Sequence, residues 1–153
     1  ILSKPLGTGV ITTAHKQETV AEDDFQAALR SMQRLNRRAS EVLVQAGAAV
    51  HAVTDITGFG IIGHSWEMAA QSKTGMRFNF AHLPLLPGVL HYIEEGCTTG
   101  GARRNETYLA PHVNITKQLS AIEREILALR PAIRRQIHDH IHDVFCAATG
   151  RVS

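Results

Sequence analysis

The feature that most constrains the fold is a long apolar stripe in the first third of the chain. Apolar residues recur there at three- and four-residue steps: Phe25, Leu29, Met32, Leu35, Ala39, Val42, Leu43 and Ala46. This period places them on one face of an α-helix. Thr19 and Glu22 have the spacing of a capping box, and Gly47 is a typical C-terminal cap. The pattern predicts one long amphipathic helix that ends at Gly47.

Shorter segments around this helix have mixed periods. Strands are expected at 10–13, 48–54 and 76–80, helices at 61–71, 89–95 and from 119 to 131, and loops at 4–9, 82–88 and 100–105. The strand assignments rest on β-branched or alternating residues, and the loops rest on Gly and Pro. Helices and strands without a regular βαβ period predict an α+β domain in which helices are layered on a sheet.

Composition excludes several classes of protein. The chain has 153 residues, 44% hydrophobic and 20% charged, which is ordinary for one globular domain and not for a disordered chain. The net charge of +2 gives no field that would favour nucleic acid, and Arg34, Arg37 and Arg38 are interpreted as solvated helix surface. No apolar run approaches the length of a membrane span. Neither nucleic acid nor membrane is therefore an expected partner.

The two cysteines, Cys97 and Cys146, are far apart and form no CxxC motif. Nothing in their spacing signals a secreted disulfide scaffold, so the cytoplasm is the expected compartment. The chain opens at Ile1 with neither an initiator Met nor a signal-peptide pattern. We expect it to be a piece of a longer protein.

The segment Thr54-Asp-Ile-Thr-Gly-Phe-Gly60 carries the most chemistry. It places an acidic residue at the end of a predicted strand, just before a helix begins. The N–H groups of a helix start attract phosphate, and a nearby carboxylate can hold Mg²⁺ that bridges to phosphate oxygens. The local chemistry also fits a purely structural interpretation, in which Asp55 caps the helix and Gly58 and Gly60 make the turn. The glycine spacing matches neither a P-loop nor a dinucleotide-binding fingerprint.

Several segments resemble the second domain of the selenophosphate synthetases, in the same order along the chain. The longest is Ala52-Val-Thr-Asp-Ile-Thr-Gly-Phe-Gly-Ile-Ile-Gly-His64, followed by Glu67-Met-Ala69. The others are Lys4-Pro-Leu-Gly-Thr-Gly9, Leu35-Asn-Arg-Arg-Ala39, Leu83-Pro-Leu-Leu-Pro-Gly88 and Gly100-Gly-Ala-Arg-Arg-Asn105. Together they extend the resemblance from residue 1 to about residue 110.

The resemblance implies a fold, a reaction and a site. The fold is the layered α/β/α domain of the aminoimidazole ribonucleotide synthetase C-terminal type, here incomplete at its C-terminal end. The reaction, a selenide, water dikinase reaction, makes selenophosphate, AMP and phosphate from selenide, ATP and water, with Mg²⁺ as cofactor. Asp55 is implied as a metal ligand, and Thr57 and Gly58 as contacts near the phosphates. The family works as a homodimer.

The resemblance also implies what this chain lacks. The family's reactive Cys or selenocysteine, its catalytic Lys and its glycine-rich nucleotide loop belong to an N-terminal catalytic domain, so no catalytic residue is assigned here. We expect this chain by itself to be inactive as a dikinase. Two alternatives are a purine-pathway ligase domain of the same superfamily and a non-catalytic remnant or interaction module.

The tail departs from the family, so we divide the chain into a domain at 1–130 and an atypical tail at 131–153. The family has an Asp-Pro-Gln-Thr-Ser-Gly-Gly run where this chain has Leu129-Arg-Pro-Ala-Ile-Arg-Arg135. One choice of codons for 129–135, read one base later, gives Phe-Asp-Pro-Gln-Ser-Gly-Gly. We hypothesise a frameshift near residue 129, natural or from sequencing.

A histidine-rich stretch lies within this tail. His138 and His142 are one helical turn apart, a spacing that can chelate Zn²⁺. No Glu occupies the catalytic position of an HExxH motif. Since an out-of-frame tail has no selected function, no metal is assigned to it. His64, His82, Trp66 and Met68 are interpreted as packing or surface residues.

Overall fold

The computed structural model describes residues 2–100, 102–114 and 119–127, and for 102–104 and 106 the backbone alone. Within these ranges the chain forms helices α1 Thr8–Lys16, α2 Glu22–Gln33, α3 Arg37–Ala46, α4 Gly60–Ser72, α5 Val89–Glu94, α6 Ala102–Leu109 and α7 Ala121–Ile126. Short 3₁₀ turns at Gly47–Ala49 and Phe80–His82 complete the regular structure. None of the described helices is both long enough and apolar enough to cross a bilayer.

The first hydrophobic core lies between α1, α2 and α5. Its buried members are Val10, Ile11, Ala14, Ala28, Leu86, Val89, Tyr92, Ile93 and Cys97. The strand predicted at 10–13 is wrong, because these residues lie in α1. Burying a Val or Ile side chain stabilises by about 1.5–3 kcal/mol, whereas the helix propensity of these residues is at most about 0.7 kcal/mol worse than that of Ala. Burial therefore decides the conformation.

The predicted long helix is two helices. Arg34 adopts an extended conformation after α2, and α3 begins at Arg37. Lys4 Nζ donates a hydrogen bond to the Arg34 carbonyl that the break releases. Ala21 precedes α2 without a side-chain cap, so the capping box predicted from Thr19 and Glu22 is wrong. The prediction that the helical region ends at Gly47 is confirmed.

The second core joins α4 and α6 to the loops around them. Ile61, Ile62, Leu83, Leu109 and Leu127 are its buried members. The predicted helices at 61–71 and 89–95 are confirmed with slightly shifted ends. The helix predicted from 119 is confirmed as α7, and its predicted end at Pro131 lies outside the described residues. The loop predicted at 100–105 largely forms α6. Because α6 packs against α4, it reaches the segment that precedes α4.

The described residues contain helices but no β-ladder. Their strand-like pairing is one isolated parallel bridge between Leu6 and Leu85, with Leu6 N to Pro84 O at 2.8 Å and Leu86 N to Leu6 O at 2.9 Å. The strands predicted at 48–54 and 76–80 are wrong as assigned, because neither segment has a pairing partner among the described residues. The helices of the predicted α+β domain are therefore confirmed, whereas the sheet on which they were predicted to be layered is not confirmed. The 131–153 tail, its histidines and Cys146 lie outside the described residues.

Candidate functional site

The candidate site begins with an irregular segment at 50–57 that alternates in exposure. His51, Val53, Asp55 and Thr57 are exposed, and the residues between them are half-buried. This period of two is that of a pleated strand, and it places Asp55 and Thr57 on the same exposed side. Ile56, on the other side, packs on the second core. The packing of Ile56 therefore anchors the segment and leaves the two oxygen-bearing side chains towards solvent.

Asp55 is available as a ligand. Within the part of the chain that the structure describes, its carboxylate accepts no hydrogen bond and forms no ion pair; the Thr54 hydroxyl donates to the Asp55 backbone carbonyl at 3.2 Å. Helix α4 begins at Gly60 with Phe59 as its N-cap residue and no side-chain cap. The interpretation of Asp55 as a helix cap is therefore wrong.

The turn between Thr57 and α4 has two glycines with different roles. Gly60 has a φ of 68°, in the left-handed region that favours glycine, and its N–H donates to the Thr57 carbonyl at 3.0 Å. The structural interpretation of Gly60 is thus confirmed. Apart from the two chain neighbours of Gly58, no atom of the described residues lies within 4 Å of the place where its Cβ would lie, so they leave the space beside it open.

Two buried side chains hold this turn in place. Asn105, on α6, is 6% exposed and donates from Nδ2 to the Gly58 carbonyl at 2.8 Å across 47 residues of sequence. His64, on α4, is 8% exposed and has Nε2 3.1 Å from the Thr57 hydroxyl. On its other side, His64 Nδ1 lies 3.3 Å from Glu67 Oε2. Thr57, His64 and Glu67 therefore form a row of polar groups, joined by a hydrogen bond between Thr57 and His64 and by a close His64–Glu67 contact; we call this row the Thr57 relay.

Sequence reasoning missed most of this support. His64 was interpreted as a packing or surface residue; it is buried, and it also connects two polar groups. The His64–Glu67 spacing of three residues on a helix was a local signal for their contact. Asn105 carried no local signal, because its partner is distant in sequence. His82 is exposed, and Trp66 is half-buried with its ring stacked on His112 at 4.0 Å, so both agree with their predicted roles.

The charged and thiol groups elsewhere fit structural roles. Arg37 and Arg38 are more than 80% exposed and pair with Glu41, which confirms a solvated helix surface. Cys97 is buried, and its Sγ donates to Gln17 Oε1 at 3.1 Å. No three His, Cys, Asp or Glu side chains come together as a metal cluster among the described residues. Any metal held at Asp55 therefore takes most of its ligands from elsewhere.

Comparison with known proteins places these residues within a family domain. The family described as AIR synthase related protein, C-terminal domain, matches residues 1–100. Among curated relatives, the selenide, water dikinase of Bordetella bronchiseptica is 46% identical over 104 residues, which is 68% of this chain and 30% of that protein. Those of Pseudomonas straminea and Carboxydothermus hydrogenoformans are 36% and 38% identical over 83% and 84% of this chain. The chain spans about a third of the length of these relatives, 35% and 36% in the last two.

Proposed function

This chain belongs to the AIR synthase related protein family, C-terminal domain, and from that premise we propose that it is part of an enzyme that makes selenophosphate. The proposed reaction consumes selenide, ATP and water and releases AMP and phosphate, and this domain helps to complete the Mg²⁺–ATP site. The names of the relatives, each a selenide, water dikinase, support this assignment over a purine-pathway ligase.

The observation that carries the proposal is the exposed carboxylate of Asp55, which has no hydrogen-bond or ion-pair partner among the residues that the structure describes. It lies on the same side as the Thr57 hydroxyl, just before α4, whose N-cap residue offers no side-chain cap. Carboxylate and hydroxyl oxygens are hard ligands of the kind that Mg²⁺ takes. A site of one or two carboxylates completed by phosphates and water is the usual arrangement for Mg²⁺ with a nucleotide. The residues present therefore fit the metal.

Each residue of the site has a separate task. Asp55 would hold the metal, and the N-terminal N–H groups of α4 and the open space beside Gly58 would accept a phosphate group. The bound Mg²⁺ would neutralise charge on the polyphosphate. Asn105 and Ile56 keep the loop in one position, which limits the loss of conformational freedom when the ligand binds.

The remaining parts of the proposal concern the rest of the protein. We propose an N-terminal catalytic domain as the partner that supplies the reactive residue and most of the ATP site, with a homodimer as the working form in the cytoplasm. In that setting the alternating segment 50–57 would be a strand of the layered α/β/α sheet, because its exposure pattern already has the period of a strand. By itself, this chain is expected to show no dikinase turnover.

A chimaera tests the proposal. Residues 1–100 of this chain replace the matching region of the Bordetella bronchiseptica relative, and ATP-dependent selenophosphate formation is measured. We expect Asp55→Asn in the chimaera to lower turnover by about a hundredfold or more, as the loss of a preorganised electrostatic group at a phosphoryl site does. Asp23→Asn is the matched control, because Asp23 is an exposed acid in the first turn of α2.

Two results would count against the proposal. An active chimaera in which Asp55→Asn behaves like Asp23→Asn would remove Asp55 from the metal site. A chimaera that folds and dimerises but makes no selenophosphate would favour the alternative of a non-catalytic remnant or interaction module.

A further inference from the structure

We propose that His64 is a positioning residue for Thr57. By accepting a hydrogen bond from the Thr57 hydroxyl, His64 turns the hydroxyl lone pairs towards the side of Asp55, which makes Thr57 a ligand for a cation and not a hydrogen-bond donor to phosphate. The inference deepens the proposed function and rests on it for the presence of a cation. It differs from the sequence-based interpretation, in which Thr57 contacts the phosphates.

The first step is the tautomer of His64. Its Nδ1 faces Glu67 Oε2 at 3.3 Å. An ionised carboxylate oxygen at this distance repels a nitrogen lone pair and attracts an N–H, so the contact favours the proton on Nδ1. In the neutral imidazole the other nitrogen, Nε2, is then an acceptor. Glu67 therefore fixes which end of His64 can receive a hydrogen bond.

The second step is the direction of the Thr57 hydroxyl. Thr57 Oγ1 lies 3.1 Å from His64 Nε2, and since that nitrogen is an acceptor, the hydroxyl proton points inward to it. A hydroxyl has one proton and two lone pairs. With its proton engaged, Thr57 has only acceptor capacity left for a ligand. Such an oxygen binds a cation or a cation-bound water, and it cannot donate to a phosphate oxygen.

The third step is burial. His64 is 8% exposed, and the Phe59 ring lies edge-on to it at 5.7 Å between centroids. Thr57 itself is exposed on the same side as Asp55. Water therefore competes poorly for the buried Nε2 of His64, which accepts the hydrogen bond from Thr57. The lone pairs of the Thr57 hydroxyl, in contrast, remain accessible to a ligand. A threonine with its proton held on a buried acceptor is a preorganised ligand, and outer partners of this kind tune metal affinity.

A second histidine–glutamate pair provides an internal contrast. On α5, His91 uses Nε2 towards Glu95 Oε1 at 3.3 Å, and both side chains are exposed. By the same reasoning His91 holds its proton on Nε2, the opposite tautomer to that of His64. One spectrum of the chain can therefore compare the two arrangements.

The test uses the 153-residue chain labelled with ¹⁵N on histidine, at a pH above the ordinary imidazole pKa of about 6.5. Long-range ¹H–¹⁵N correlation spectra report the tautomer of each ring. We expect His64 to carry its proton on Nδ1, and Glu67→Ala to abolish that preference. Glu95→Ala, the matched control, should leave His64 as it is. A His64 ring with its proton on Nε2 would overturn the inference.

Manganese(II) then serves as the probe of the cation site. Its broadening of the Asp55 and Thr57 amide signals is titrated in the wild-type chain and in variants. We expect Thr57→Val to weaken Mn²⁺ binding by about tenfold or more, Thr57→Ser to retain it, and Glu67→Ala to weaken it by a similar factor, as partner residues of metal ligands do. Thr57 and Glu67 are exposed, so these changes leave the cores intact.

The outcomes separate this inference from the proposed function. Mn²⁺ binding that is indifferent to Thr57→Val would overturn the assignment of Thr57 and leave Asp55 as the metal ligand. Absence of Mn²⁺ broadening at Asp55 in a folded wild-type chain would overturn the inference whatever the His64 tautomer. The proposed function is decided by turnover of the chimaera, which neither spectrum measures.

Discussion

The phenol of Tyr92 in the first core gives the sharpest test of how this fold is held together. Tyr92 is 2% exposed, and its hydroxyl accepts a hydrogen bond from Ala21 N at 2.9 Å and donates one to Asp24 Oδ2 at 2.8 Å. Ala21 precedes α2 and has no polar side chain with which to cap it. The Tyr92→Phe change removes this one oxygen and keeps the ring that fills the core.

The expected fall in the free energy of unfolding depends on the two groups that lose the Tyr92 hydroxyl, the Ala21 N–H and the Asp24 carboxylate. The Ala21 N–H would lose its acceptor, and because Ala21 is exposed the loss is that of an ordinary hydrogen bond, about 0.5–1.5 kcal/mol. Asp24 is half-buried and can recover a hydrogen bond from water, so it adds little. We expect the free energy of unfolding to fall by about 1 kcal/mol, roughly a fivefold change in the folding equilibrium.

Urea unfolding of the 153-residue chain at neutral pH, followed by circular dichroism, measures this loss as a lower midpoint at unchanged m-value. Tyr108→Phe is the control, because Tyr108 is 54% exposed and the chemical change is the same. A surface substitution of this kind is expected to change stability by no more than about 0.5 kcal/mol. Equal stability of the two variants would show that the Tyr92 hydroxyl does not cap α2.

The pH dependence tests the same contact. The hydrogen bond from Ala21 lowers the pKa of Tyr92, but burial and the Asp24 carboxylate outweigh it, and the pKa is raised above its ordinary value of 10.0. A raised folded pKa gives a stabilisation that is complete below the unfolded pKa and is lost as pH rises through the folded pKa. The difference in free energy of unfolding between the wild type and Tyr92→Phe should therefore become smaller above about pH 10. A gap that stays constant there would refute the reasoning.

Three further predictions concern the site loop, a turn and the tail. Asn105→Ala should cost about 0.5–1.5 kcal/mol by removing the hydrogen bond to the carbonyl of the exposed Gly58, and amide exchange in the turn at 57–60 should accelerate; unchanged exchange would argue against this contact. Gly88→Ala should destabilise the protein more than Gly96→Ala. Both glycines have a left-handed φ, but a Cβ at Gly88 would lie 2.3 Å from a carboxylate oxygen of α2, whereas a Cβ at Gly96 would meet no described atom within 4 Å. An equal fall in the free energy of unfolding, measured by urea unfolding, would contradict this. The gene's nucleotide sequence over residues 129–135 decides the frameshift hypothesis, which fails if other codons are used.

The sequence by itself determined those helices that are marked by residues close to one another along the chain. The apolar period of α4 and the glycines that follow α3 and α5 predicted those elements, because helix hydrogen bonds join residues four apart and depend on nearby residues alone. The period between Phe25 and Ala46 predicted helix correctly but not the break at Arg34, where no Gly or Pro marks it. The sequence left Asp55 either as a helix cap or as a metal ligand, the role that the family resemblance implied, and among the described residues its carboxylate is exposed and has no competing partner.

Tertiary structure decided whatever depends on a distant partner. Val10 and Ile11 are helical because α2 and α5 bury them. A strand draws its hydrogen bonds from another segment, and the alternating segment 50–57 has no such partner among the residues that the structure describes. The Asn105–Gly58 bond crosses 47 residues of sequence and could not be read from either end. The sequence alone thus offered the Asp55 carboxylate as a candidate metal ligand, and packing of α4 and α6 decided how Thr57 and Gly58 are held, since only the folded chain brings a buried donor or acceptor within hydrogen-bond reach of each.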